Sequence, residues 1–222
     1  MFRLYFGLVL LALTLVVCEQ ALAGPSFLEG FVYGTPKNEL MNRSDALPGS
    51  ESFKDDIFFK QVPWAGFTWS AQCHFAANLL EGVTLYSPYE AAKLKRLSSY
   101  LKEQKFQLLG MVIDNKAIDI ISLVKLGGQA AFKKRFQELV RAKTPTTISY
   151  EWFEGKSLTE DNLRMAASLS QLLTLVDMNL VQIEVSQKAA DEKLEHAVLE
   201  VHFSCPILQL VREEKPQDKS LQ

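Results

Sequence analysis

The sequence predicts an α/β fold, with an α+β arrangement as the alternative. Helix-like and strand-like hydrophobic patterns alternate along the chain, and its last two segments alternate between apolar and polar residues. The predicted order is helix, helix, strand, helix, strand, helix, strand, strand. We therefore expect a mixed sheet of about four strands with helices packed on it, and a closing antiparallel β-hairpin.

The first helix is predicted within residues 64–82, with Ser70 as the cap of its first turn and Gly82 at its C-terminal cap. Cys73, Ala76, Ala77 and Leu80 recur at the spacing i, i+3, i+4, i+7, which places them on one apolar stripe of a helix. Cys73 would lie in that stripe, facing the core.

The remaining elements follow from shorter patterns. After Ser87-Pro-Tyr-Glu90, which has the composition of a capping box, a helix is predicted to residue 103. Further helices are predicted over 117–126, 129–143 and 157–176, the first two separated at Gly127-Gly128. Strands are predicted over 106–113, 146–153, 180–187 and 194–205.

The element order of the second half resembles that of thioredoxin-like and glutaredoxin-like proteins. Redox members of that group carry Cys-x-x-Cys where the helix after the first of these strands begins. Residues 114–117 read Asp-Asn-Lys-Ala at that point. The resemblance therefore concerns topology and implies no redox activity.

The N-terminus predicts export. Residues 1–23 combine one arginine, a short apolar run and a small-x-small pattern ending at Ala23, which together are typical of a secretory signal peptide. The mature chain would begin at Gly24 and be periplasmic or secreted. The alternatives are a retained signal anchor and a lipoprotein attached through Cys18.

Composition predicts one exported domain. Residues 24–52 are rich in turn formers and are predicted to be an extended or poorly ordered arm, with a short docked strand as the alternative. Residues 53–211 are predicted to form a single globular domain, and 212–222 a polar tail. A net charge of −2 disfavours nucleic-acid binding, and no later apolar run is long enough for a membrane span.

Loss of the signal peptide would leave two cysteines, Cys73 and Cys205. In an oxidising compartment we expect them to form a disulfide. The histidines are His74, His196 and His202, and their spacing predicts no metal site. No cofactor motif is present.

One enzymatic alternative uses Cys73 and His196. Gln72-Cys73 at a helix start, with a strand around His196 far downstream, resembles the cysteine and histidine arrangement of papain-like peptidases, which implies a cysteine hydrolase. The family's Gly-x-Cys-Trp and Asn-Ser-Trp segments have no counterpart here. Strand periodicity also places Cys205, and not His196, on the apolar face that Cys73 should meet.

The leading functional hypothesis is a non-enzymatic exported protein that binds a protein partner in the cell envelope. A secretion, pilus or conjugation accessory and an immunity protein all suit it. The alternatives are the cysteine hydrolase and a small-ligand carrier. The carrier would use the aromatic cluster Phe58, Phe59, Trp64, Phe67 and Trp69.

Overall fold

One antiparallel sheet of nine strands organises the chain. The computed structural model describes residues 24–142, 144–190 and 196–209. Three predicted segments lie wholly or partly outside the described residues. They are the signal peptide (1–23) with its Cys18, the tail (212–222), and part of the loop of the hairpin predicted over 180–205.

The elements have the following bounds. The strands are β1 (Ser26–Leu28), β2 (Phe31–Val32), β3 (Ala46–Pro48), β4 (Ile57–Trp64), β5 (Phe67–Ala76), β6 (Leu79–Pro88), β7 (Phe106–Ile113), β8 (Lys116–Asp119), β9 (Thr147–Glu154), β10 (Gln182–Lys188) and β11 (Val198–Ser204). The helices are α1 (Lys37–Met41), α2 (Ala91–Glu103), α3 (Ile120–Ala142), α4 (Glu160–Met165) and α5 (Leu169–Leu173). No described helix is both long enough and apolar enough to cross a membrane.

The predicted fold class is wrong. The large sheet has the order β3-β4-β5-β6-β11-β10-β9-β7-β8, and β1 and β2 form a separate two-stranded sheet. Each pair of neighbouring strands among the described residues is antiparallel, so the expected parallel crossovers do not occur. The molecule is mostly β, with few helices, instead of a four-strand mixed sheet covered by helices.

The largest single error lies in residues 64–82, which form strands and not a helix. Trp69, Ala71 and Cys73 are buried in the core at period two, whereas on the other face Thr68 and Ser70 are exposed and Gln72 is a buried polar residue. That alternation is the strand pattern. The helical spacing of the small residues after Cys73 is coincidental, because those residues span the end of β5 and the turn into β6.

Three two-residue turns make this meander possible. Ala65-Gly66, Ala77-Asn78 and Asp114-Asn115 join consecutive strands, and both residues of each turn have positive φ. Such mirror-image turns match the right-handed twist of the strands they join. Only one of the three contains glycine, so the usual sequence signal for a hairpin is weak.

Several predicted elements are confirmed. The strand over 106–113 is β7, and the closing hairpin is the antiparallel pair β10 and β11. Helix α3 leaves helical geometry at Gly127 and Gly128, where a break was predicted. The predicted helix over 157–176 is instead the two short helices α4 and α5, the first capped by the Thr159 side chain.

Residues 24–52 pack against the domain, in contrast to the expected arm. They contribute β1, β2, α1 and β3. Five of their side chains are buried in the main core: Phe27, Leu28, Phe31, Tyr33 and Leu40. The short docked strand that was the alternative reading is the β1–β2 pair.

The register of the sheet separates two faces. One continuous cross-strand row is apolar and lies under α2: Ile57, Cys73, Val83, Phe203, Ile183 and Trp152. The next row, on the opposite face, is almost entirely polar: Gln72, Thr84, His202, Glu184 and Glu151. Opposite faces follow because successive side chains of a strand point to opposite sides.

The turn geometry yields a stability prediction at Ala77, whose φ is 50°. Ala77→Gly should raise the free energy of unfolding by about 1 kcal/mol, because glycine adopts this left-handed conformation without a steric cost. Urea unfolding measures the change. The matched control is Ala76→Gly, one residue earlier in β5, where the same substitution should destabilise the protein; equal effects at both positions would contradict the turn assignment.

Candidate functional site

The polar face of the sheet is concave and forms a cleft of about 400 Å³ across β5, β6, β11, β10, β9 and β7. We call it the polar cleft. Its hydroxyl-bearing residues are Thr84, Tyr86, Thr147, Ser149 and Ser186, and its ionisable residues are His74, His202, Glu184, Lys188 and Glu200. Val112 and Asn115 complete the lining.

Small hydroxyl side chains form the floor of the polar cleft. Ser149 and Ser186 face each other across β9 and β10, and their hydroxyl oxygens are 2.6 Å apart. Ser186 also donates a hydrogen bond to the Glu184 carboxylate at 2.9 Å. Both serines are buried, and these bonds replace the hydrogen bonds to water that burial removes.

A chain of hydrogen bonds runs along one end of the cleft. The Thr84 hydroxyl lies 2.8 Å from Nε2 of His74 and 2.9 Å from Nδ1 of His202. Nδ1 of His74 is 3.5 Å from the Asp56 carboxylate, which also accepts a 2.5 Å hydrogen bond from Gln72. The five side chains come from β5, β6, β11 and the residue preceding β4, so the sheet register brings them together.

Burial keeps both imidazoles of this chain neutral near pH 7. Burial and, to a smaller extent, nearby His74 lower the pKa of His202 from 6.5 to about 4, against the opposing effect of Glu184. Burial also lowers the pKa of His74, against the opposing effect of Asp56. Since the two ring centroids are only 5.7 Å apart, protonating both rings would place two positive charges side by side.

The charges at the other end of the cleft are unevenly paired. Nζ of Lys188 lies 2.6 Å from the Glu200 carboxylate, so these two charges neutralise each other. Glu184 stands directly opposite Glu151 on β9, and within the described residues neither has a salt-bridge partner. Burial raises the pKa of Glu151, and the neighbouring carboxylates of Glu184 and Asp119 raise it further.

Metal binding is not supported in the part of the chain that the structure describes. No group of three or more histidine, cysteine, aspartate or glutamate side chains there is arranged to hold a metal ion. The cleft instead offers hydrogen-bond acceptors, hydroxyls and one excess negative charge, which suits recognition of a polar group by hydrogen bonding.

The structure does not bring Cys73 and His196 together. Cys73 is fully buried on the apolar face, and burial raises its thiol pKa to about 12, which suppresses the thiolate that a nucleophile requires. His196 is exposed and precedes β11. Phe203, two strands from Cys73 in the same row, is already five residues, or roughly 17 Å, from the start of β11.

The expected disulfide is not present in the structure, where Cys73 and Cys205 are both buried free thiols. Cys73 lies on β5 and Cys205 directly follows β11, and β6 separates the two strands. Two strand spacings amount to about 9–10 Å, beyond the roughly 7 Å between Cα atoms that a disulfide tolerates. Both cysteines do lie on the apolar face, as the sequence pattern predicted, but on strands that are not neighbours.

The aromatic cluster does not enclose a ligand cavity. Phe59 and Trp69 are buried in the core, and the Trp64 ring packs against Trp69, Tyr100 and Phe203 at centroid distances of 6.1, 5.5 and 5.0 Å. The remaining two members, Phe58 and Phe67, are half-buried. The rings therefore fill the space that a carrier would need for its ligand.

The sequence identified few of the cleft residues. Strand alternation predicts that Glu200 and His202 share one face of the last strand and that Thr147 and Ser149 share the polar face of the strand over 146–153, whereas it did not identify Thr84 and Ser186. One available signal was the pattern of β10, in which Glu184, Ser186 and Lys188 share one face and Ile183 and Val185 lie on the other. A small hydroxyl between two charged residues on the outer face of a strand indicates a partly buried polar surface.

Both cysteines should be protected by folding and unbonded. With the native protein an alkylating reagent should leave Cys73 and Cys205 unmodified, because both thiols are buried. After denaturation without reductant, both should be labelled, as located by peptide mapping. Labelling that appears only after reduction would mean that a disulfide forms.

The His202 environment predicts a pH dependence of stability. Because its folded-state pKa is below the usual 6.5, the unfolded chain binds the proton more tightly as the pH falls. Stability should be retained above pH 6.5 and decline toward pH 4, with His202 contributing up to about 3 kcal/mol of the loss.

His202→Gln should flatten this decline in urea unfolding measured between pH 7 and 4. His196→Gln, at an exposed position, is the control and should leave the wild-type profile unchanged. A His202→Gln profile parallel to that of the wild type would show that His202 does not contribute to the acid sensitivity.

Comparison with known proteins gives no identification. The chain matched no protein-family model, no curated protein and no solved structure. The chemistry of the polar cleft is therefore the ground on which a function is assigned.

Proposed function

We propose that this is an exported protein that binds a protein partner in the cell envelope and receives a protruding segment of that partner in the polar cleft. The role would be that of a secretion, pilus or conjugation accessory or of an immunity protein. The observation that supports this proposal best is the polar cleft itself, in which polar side chains from five strands converge on one concave surface. The export component rests on the signal-peptide pattern of residues 1–23.

The dimensions of the cleft support a protein segment as its occupant. Five strand spacings separate β5 from β7 in the sheet, which corresponds to a surface about 24 Å across. Small-molecule pockets are typically enclosed and mostly apolar. A wide surface with a cleft of about 400 Å³ suits a loop that inserts two or three side chains while its flanks rest on the rim.

The chemistry of the lining supports binding through directional contacts. The floor hydroxyls of Ser149 and Ser186 are already oriented by their mutual hydrogen bond, and Thr84 is held between two histidines. Polar groups fixed before binding lose little conformational entropy when a partner docks. The cleft is thus preorganised for a polar ligand.

Site-specific photo-crosslinking in the native host tests the proposal. A benzoylphenylalanine at Tyr86, whose side chain is aromatic already and lines the cleft, should crosslink to one discrete envelope protein. The same probe at Lys95, exposed on α2 over the opposite face, should not. Ser186→Trp, which fills the floor of the cleft, should abolish the Tyr86 crosslink.

The outcome that refutes a cleft-bound partner is specific. If the same protein is captured from both positions, or if Ser186→Trp leaves the Tyr86 crosslink intact in a folded protein, the partner does not enter the cleft. Circular dichroism and the urea midpoint of the Ser186→Trp protein establish whether it is folded.

A further inference from the structure

The hydrogen-bond chain from Asp56 to His202 fixes where protons reside at the bottom of the polar cleft. The Asp56 carboxylate can only accept hydrogen bonds, and it faces Nδ1 of His74 at 3.5 Å. The favourable arrangement therefore places the proton of neutral His74 on Nδ1. Nε2 of His74 is then an acceptor, and it takes the single hydroxyl proton of Thr84 at 2.8 Å.

The same accounting extends to His202. The Thr84 hydroxyl donates its one proton to His74. It can therefore only accept a hydrogen bond from Nδ1 of His202, 2.9 Å away. Neutral His202 thus carries its proton on Nδ1, and Nε2 has a bare lone pair. The low pKa that burial gives His202 is consistent with this neutral state.

The imidazole of His202 has room because the neighbouring strand carries glycine. A Cβ at Gly82 would lie 3.1 Å from Cε1 and 3.6 Å from Nε2 of His202, so any larger residue would crowd the ring edge that holds the lone pair. Within the described residues, Nε2 has no hydrogen-bond partner. His202 therefore presents an unused acceptor at the cleft surface.

A second acceptor stands directly across the sheet. Glu184 on β10 is the cross-strand partner of His202, and its only side-chain donor in the described part of the chain is the Ser186 hydroxyl. Lys188, the lysine of the cleft, forms its salt bridge with Glu200 at 2.6 Å and not with Glu184. His202 and Glu184 are thus cross-strand neighbours on the polar face, and no salt bridge in the described part of the chain neutralises Glu184.

We propose that the polar cleft binds a lysine or arginine side chain of the partner, held between Nε2 of His202 and the carboxylate of Glu184. This inference rests on the proposed function, since it assigns the chemistry of the segment that enters the cleft. Ammonium and guanidinium groups donate several hydrogen bonds and accept none, which matches two adjacent acceptors. The charge-assisted bond to the carboxylate would supply most of the discrimination.

NMR at pH 7 on the mature protein tests the inference with blocked amino acids as probes. N-acetyl-lysine methylamide and N-acetyl-arginine methylamide should shift the signals of His202 and Glu184 saturably. N-acetyl-norleucine methylamide, similar in length but uncharged, and N-acetyl-glutamate methylamide should not. Glu184→Gln keeps the shape of the side chain and removes its charge, so it should lower the affinity for the cationic probes at least about tenfold. Glu81→Gln on β6, a matched substitution at a residue that does not line the cleft, should have no effect.

A readout independent of the probes tests the proton chain. Long-range ¹H–¹⁵N spectra should show His202 protonated on Nδ1. Asp56→Asn can present an amide donor to His74, which reverses the chain and should move the His202 proton to Nε2. Asp56→Asn should therefore lose cation binding although Asp56 does not contact the probe. If Asp56 only stabilised the fold, its substitution would leave the tautomer of His202 unchanged.

The outcomes separate the two proposals. A wild-type His202 protonated on Nε2, or norleucine and lysine probes of equal affinity, overturns the cation assignment. If that happens while the Tyr86 crosslink survives and Ser186→Trp abolishes it, the proposed function stands and only its ligand chemistry is wrong. If the crosslink and the probes both fail, neither proposal holds.

Discussion

The antiparallel register of the large sheet is the constraint on which the rest of the structure depends. Because each strand is hydrogen-bonded to its neighbours, the parity of a residue within an uninterrupted stretch of the register decides its face. Cys73 and Phe203 lie in the core row, and their chain neighbours Gln72 and His202 lie in the polar row. A slip of one residue in β11 would exchange these faces, burying His202 in the core and exposing Phe203 to solvent.

This register shifts at one point in the β5–β6 pair, between His74 and Phe75, and at two further points in the large sheet. The β4–β5 pairing shifts between Phe59 and Val62, where Gln61 adopts a positive φ, and the β7–β9 pairing shifts between Leu108 and Gly110. At the second position the carboxylate of Glu151 occupies the space where a Cβ of residue 110 would lie. A side chain at position 110 would therefore displace the Glu151 carboxylate, whose pKa burial raises and the nearby carboxylates of Glu184 and Asp119 raise further.

The sequence predicts those elements whose patterns are strict and local. β10 alternates from Gln182 to Ser186 and β11 from Leu199 to Ser204, and the two strands are consecutive, so both their existence and their antiparallel arrangement could be inferred. In residues 64–82 the small residues Ala76 and Ala77 match a helical period by chance. The turn that divides the segment, Ala77-Asn78, has no glycine, so nothing local contradicts the helix.

The candidate site is harder to predict because its contacts are distant in the chain. Thr84 and His202 are 118 residues apart and meet only because β6 pairs with β11. The residue pattern of neither strand specifies this pairing, because each pattern is compatible with many neighbouring strands. Strand parity could assign His202 to the polar face, but only the strand order places it beside Thr84 and opposite Glu184.

The shape of the cleft follows from the sizes of the residues on that face. The centre carries serine at 149 and 186 and threonine at 84, whose short side chains bond to neighbouring side chains at the level of the sheet. Longer side chains surround them, among them Tyr86 and the Lys188–Glu200 pair. A face built only for solvent would gain nothing from burying hydroxyls, since each must recover its hydrogen bonds inside the protein. Short polar residues enclosed by long ones instead create a concave surface whose hydrogen-bonding groups are fixed before a ligand arrives, which is the property that recognition of a polar segment requires.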